Sequence, residues 1–67
     1  MVVAMSKAAE NHRQVSMHYH DAARQHQQEA AHFAQAGNRE RAAYHNAIAA
    51  EHLRQATYHA DQAAKHA

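Results

Sequence analysis

Nine of the 67 residues are histidine: His12, His18, His20, His26, His32, His45, His52, His59 and His66. Imidazole nitrogens are the one abundant set of side-chain groups here able to bind a transition metal or exchange a proton near neutral pH. No two histidines stand three or four residues apart, so the usual chelate of two imidazoles one turn apart on one helix is missing. The spacings are six, two, six and six residues up to His32, then three successive sevens from His45 to His66. On a helix, seven residues span about 10.5 Å, too far for neighbours in that series to share an ion. Any metal site has to be assembled between helices.

The rest of the composition dictates such helices. Proline is absent, and Gly37 is the single glycine. The flanking sequence is rich in Ala, Gln, Glu, Arg and His, mostly good helix formers. Gly37 suits the left-handed position that closes a first helix, and Asn38 suits the N-cap of the next. Ser6 is a fair N-cap for the first helix, and Glu40 places a negative charge in the first turn of the second. The sequence therefore predicts one domain over residues 1–67: helix 1 from about 6 to 36, a turn at Gly37-Asn38, and helix 2 from about 39 to 66. So short a connection forces the helices to lie antiparallel.

Heptad spacing sets the register. Met5, His12, Tyr19, His26 and Phe33 form a stripe on helix 1, beside Ala9, Ser16, Ala23 and Ala30. His45, His52, His59 and His66 form a stripe on helix 2, beside Ala42, Ala49, Ala56 and Ala63. Folding at the turn sets His12, Tyr19, His26 and Phe33 against Ala63, Ala56, Ala49 and Ala42. It sets His45, His52, His59 and His66 against Ala30, Ala23, Ser16 and Ala9. Every layer pairs a large side chain with a small one, which is how close helices interdigitate. Then His26 falls between the layers of His45 and His52, and His12 between those of His59 and His66. Two histidine triads are expected, separated by the Tyr19 layer. Three imidazoles with an open fourth position suit Zn²⁺, and imidazole also suits Cu²⁺ and Ni²⁺. Glu29, one turn past His26, is the best candidate for a carboxylate ligand or for an acceptor that orients one.

The candidate metal ligands are thus His12, His26, His45, His52, His59, His66 and Glu29, with no organic cofactor. The alternative is a structural or dimerisation module whose imidazoles pack the seam, titrate with pH and hold no metal. His18, His20 and His32 fall outside the seam and read as surface residues. Glu29-Ala30-Ala31-His32 has the E-x-x-H spacing of ferritin-like carboxylate sites, but no second E-x-x-H is present, so the spacing is read as coincidental. Close approach through alanine leaves no room for haem. Without cysteine, a serine–acid–histidine cleft or a glycine-rich phosphate loop, the chain is expected not to be an enzyme.

The segment Ala31-His32-Phe33-Ala34-Gln35-Ala36-Gly37-Asn38-Arg39-Glu40-Arg41-Ala42 resembles the helix–turn–helix corner of a tetratricopeptide unit, A-x-x-F-x-x-x-G-[DN]-x-x-x-A. The resemblance implies a tight turn between antiparallel helices, without the 34-residue repeat of such proteins. The chain as a whole resembles short bacterial helical-hairpin proteins rich in histidine and alanine, of uncharacterised function, which implies a fold and no activity.

The net charge of +1 is mixed along the chain, which argues against nucleic-acid binding. No apolar stretch is long enough for a bilayer, and a cytoplasmic location is expected. Most of the 46% hydrophobic content is small alanine. Chains this short seldom fold alone without disulfides, metal or a partner. A second apolar strip, Ala8, Val15 and Ala22 with Leu53, Ala60 and Ala67, predicts a homodimer that forms a four-helix bundle.

Overall fold

The computed structural model describes residues 6–66; Met5 of the first stripe and Ala67 of the apolar strip lie outside the described residues. Two helices, α1 (Lys7–Gln35) and α2 (Arg39–His66), pack side by side along their full lengths as an antiparallel hairpin. The hairpin is a rod of 53 × 17 × 13 Å. Neither helix is long and apolar enough to cross a membrane.

Each end of each helix has a local cause. The Ser6 hydroxyl oxygen accepts a hydrogen bond from the Ala9 amide at 3.1 Å, which satisfies one of the free N–H groups at the start of α1. The same hydroxyl donates to the His66 carbonyl at 2.7 Å, tying the start of α1 to the end of α2. At the turn, the Asn38 amide donates to Phe33 O at 2.8 Å and the Gly37 amide to Ala34 O at 3.1 Å. This pair of bonds is the Schellman closure, and it requires the left-handed backbone of Gly37, whose φ is +80°. Asn38 then caps α2 by accepting from the Arg41 amide at 3.1 Å. A Cβ at Gly37 would meet nothing within 4 Å, so Gly37→Ala carries only the left-handed backbone cost. We expect a loss of about 1 kcal/mol, read as a lowered chemical-denaturation midpoint with helicity unchanged.

The core is made of methyl groups. The buried residues are Ala9, Ala23, Ala30, Ala42, Ala49, Ala56 and Ala63, the small members of the two stripes. Among the described residues, no large side chain is fully buried. The remaining small position, Ser16, donates from its hydroxyl to the Ala56 carbonyl on the other helix at 2.7 Å. A side chain that short reaches the facing backbone only because small residues let the helices approach closely. The larger described members of the stripes flank this alanine seam and are half-buried, apart from the exposed His66.

Outside the seam, Ala22 and Leu53 of the second apolar strip are half-buried, while Ala8, Val15 and Ala60 are exposed. On the outer face of α2, hydrogen bonds from Arg54 and then Gln55 hold the Glu51 carboxyl below the ordinary carboxylate range. Glu51 and Arg54 are both exposed there.

Candidate metal centre

The large side chains of the two stripes form a single file of rings that alternates between helices. Phe33 stacks on His45 with ring centroids 5.4 Å apart, His45 on His26 at 5.2 Å, and His26 meets His52 at 5.5 Å. Beyond them, His52 meets Tyr19 at 5.6 Å, Tyr19 stacks on His59 at 5.8 Å, His59 meets His12 at 5.1 Å, and His12 stacks on His66 at 5.6 Å. Antiparallel heptads produce this alternation: His12, Tyr19 and His26 of α1 each enter the gap between two rings of α2, and Phe33 ends the file against His45. All six seam histidines named from the sequence are therefore in the file, with Tyr19 at its middle.

Within the file, two contacts differ from the rest. His26 Nδ1 and His45 Nδ1 lie 3.0 Å apart, and His12 Nδ1 and His59 Nδ1 lie 2.9 Å apart. In each pair one ring must carry the Nδ1 proton and the other must offer its lone pair. The two pairs occupy equivalent places in the register, two heptads apart on both helices. Tyr19 and His52 occupy the equivalent place between them. His52 therefore has a phenol, not an imidazole, as its counterpart, and its ring packs at a tilt against His26 and Tyr19. His66 meets His12 through a ring face.

Glu29 distinguishes the first pair from the second. Its Oε2 lies 3.2 Å from His45 Nδ1. The ligand atoms of His26, Glu29 and His45 all fall within 4.8 Å of one another, the one such group of three among the described residues. A helical step of three residues carries Glu29 onto the same side of α1 as His26. α2 supplies His45 opposite, with its side chain 12% exposed, while the Glu29 side chain is 52% exposed. Two nitrogens bound at about 2.05 Å to one ion lie about 2.9 Å apart at a right angle and about 3.3 Å apart at the tetrahedral angle. The His26–His45 and His45–Glu29 separations fall inside that interval. Glu29, on a flexible and exposed side chain, is free to close the third edge.

The donor set is two imidazole nitrogens and one carboxylate oxygen, gathered around the position that a His45 Nδ1 proton would occupy. It is chemically suited to Zn²⁺ and to other divalent transition ions, whose remaining coordination positions would fall to water. A shallow groove lined by Gln25, Gln28, Glu29, His32 and Phe33 adjoins Glu29.

The sequence-derived set is thus divided by the structure. His26, His45 and Glu29 converge, His12 and His59 form a second pair, and His52 and His66 join through ring packing. His18, His20 and His32 are exposed. One residue relevant to the site received only a packing role from the sequence: Phe33 lies nearly parallel to His45, with 5° between ring planes, and walls one side of it. The outer face of Phe33 is in turn covered by Arg41, whose guanidinium carbon is 5.8 Å from the ring centroid. Comparison of the chain with protein-family models, with curated proteins and with solved structures gave no match.

Proposed function

We propose that this chain is a small cytoplasmic metal-binding hairpin that holds or buffers a divalent ion, Zn²⁺, Cu²⁺ or Ni²⁺, through histidines contributed by both helices. The observation that carries the reading is the convergence of His26, Glu29 and His45, with the His26–His45 and His45–Glu29 separations at distances a metal ion requires. An ion bound there cross-links α1 to α2 about one heptad from the turn, so binding and folding are coupled. Thermal melting at fixed protein concentration tests this. Free zinc at 100 times its Kd should stabilise the fold by about 2.7 kcal/mol, a midpoint rise on the order of 10–20 °C for a domain this small. Chelator should reverse the rise, and a midpoint indifferent to both would contradict the proposal.

A second reading is favoured by a specific observation. The His12–His59 pair closes the seam with the same Nδ1–Nδ1 contact, and among the described residues no carboxylate completes a three-ligand group with it. A hydrogen bond between two imidazoles can join the helices by itself, as a structural module requires. Under that reading zinc leaves the melting midpoint unchanged.

Either reading includes a homodimer, for which the support is a core of seven alanines alongside Val15, Met17, Tyr44 and Tyr58 at 36–62% exposure. Pairing two hairpins into a four-helix bundle would cover apolar surface that one leaves wet. Sedimentation at micromolar concentration should give the mass of two chains, and Leu53→Asp should give a largely unfolded monomer. A compact, folded wild-type monomer at that concentration would contradict dimerisation.

A further inference from the structure

The two Nδ1–Nδ1 pairs are near copies of each other. Their separations are 3.0 and 2.9 Å, each joins one histidine of α1 to one of α2, and each lies two heptads from the other on both helices. What differs is the residue three positions further along α1. After His26 it is Glu29; after His12 it is Val15, 36% exposed. The same helical step that carries the carboxylate toward the first pair carries an isopropyl group to the second. On α2, the position three past His59 is the half-buried Gln62, whose amide is neutral.

The geometry points to a graded, two-step metal binder: the His12–His59 pair is a second, weaker divalent-metal site, and the identity of residues 15 and 29 sets the order of filling. This rests on the metal-binding reading of His26, Glu29 and His45. The physical reason is ligand count and charge. At the first pair a carboxylate joins two imidazoles and offsets one unit of the ion's charge. At the second, two neutral nitrogens face the ion alone, and its remaining positions fall to water. Losing even an outer partner of a metal ligand typically costs 10–100-fold in affinity, so the second step should be weaker by at least roughly tenfold. Two heptads along the helix separate the sites by about 21 Å, beyond the screening length of about 8 Å in physiological salt. Occupancy of one therefore leaves the other nearly unaffected.

Calorimetric titration with Zn²⁺ at pH 7.5 tests the grading in the full chain, with helicity checked by circular dichroism. The wild type should bind one ion tightly and a second at least roughly tenfold more weakly. His12→Ala should remove the weak step alone. Val15→Glu, with its assembly checked by sedimentation because Val15 belongs to the strip proposed for dimerisation, should tighten the second step toward the first. Glu29→Val should weaken the first toward the second, and the double exchange should invert the order, so that His26→Ala then removes the weak step. Two equal steps in the wild type, a weak step that survives His12→Ala, or a Val15→Glu chain that binds the second ion no more tightly would each overturn the grading. If the wild type takes up no zinc at all, the metal-binding reading itself falls. A tight step lost with His26→Ala but no weak step at His12 and His59 would remove this inference alone.

Discussion

His45→Ala should abolish tight zinc binding at the cluster while leaving a helical hairpin. His45 Nδ1 is the atom nearest both other donors, 3.0 Å from His26 Nδ1 and 3.2 Å from Glu29 Oε2. It is also the one donor of the cluster that α2 supplies. Without it, His26 and Glu29 remain as two ligands on one helix, and an ion there no longer joins the helices. We expect the affinity to fall at least roughly 100-fold, beyond the 10–100-fold typical of losing a partner that merely orients a ligand. Glu29→Gln keeps an oxygen but removes its charge, and should fall within that 10–100-fold range. His18→Ala, His20→Ala and His32→Ala, all at exposed positions outside the cluster, should leave the tight step unchanged. Protons compete with metal for the same lone pairs, so the affinity of the intact chain should weaken as pH is lowered from 7.5 to 5.5. Competition titration against a zinc chelator of known affinity measures each of these. Equal losses at surface and seam histidines would show that zinc binds non-specifically.

The second large effect is on the alanine seam. Ala23 is 0% exposed, within the alanine seam between the helices. Ala23→Leu adds three carbons at a place with no void, so the helices must separate or the side chain must adopt a strained rotamer. Overpacking typically costs 1–3 kcal/mol and occasionally more. Here the same displacement also stretches the Ser16–Ala56 hydrogen bond and both Nδ1–Nδ1 contacts, so we expect about 3 kcal/mol. For a domain of this size that is a fall of about 15 °C in Tm. Metal affinity should fall with it, because the ligands of α1 and α2 are carried apart. Ala43→Leu, at an exposed position, is the control and should shift Tm little. Equal effects of the two substitutions would mean that the seam is not the core.

The architecture was legible because its causes are local or periodic. Gly37 and Asn38 name the turn, and Ala or Ser every seventh residue on each helix names the face that packs. The alternation of His26 between His45 and His52, and of His12 between His59 and His66, follows from the same period, and the rings interleave in that order. Periodicity did not reveal which neighbour each imidazole meets nitrogen to nitrogen. His26 lies between two equivalent rings in sequence terms. The choice of His45 depends on which way each ring turns, a side-chain torsion with no periodic signature. A usable signal was present in Tyr19, which occupies the histidine position opposite His52 and so leaves that layer without a second imidazole. Glu29 was legible from its spacing to His26, but its approach to His45 was not. Phe33 read as one more large residue in a stripe; its role as a wall depends on ring planes that differ from His45 by 5°. The tie from Ser6 to His66 joins residues 60 apart in sequence, and nothing in either residue type announces it.

The central claim is that a divalent ion binds between the helices at His26, Glu29 and His45. Its most direct test is a zinc titration of the untagged wild-type chain and of His26→Ala, followed by calorimetry at pH 7.5. The account predicts a saturable tight step in the wild type that is lost in His26→Ala, while weaker uptake involving His12 and His59 persists. Wild-type binding no tighter than roughly millimolar, about −4 kcal/mol, or a tight step that survives His26→Ala, would contradict it.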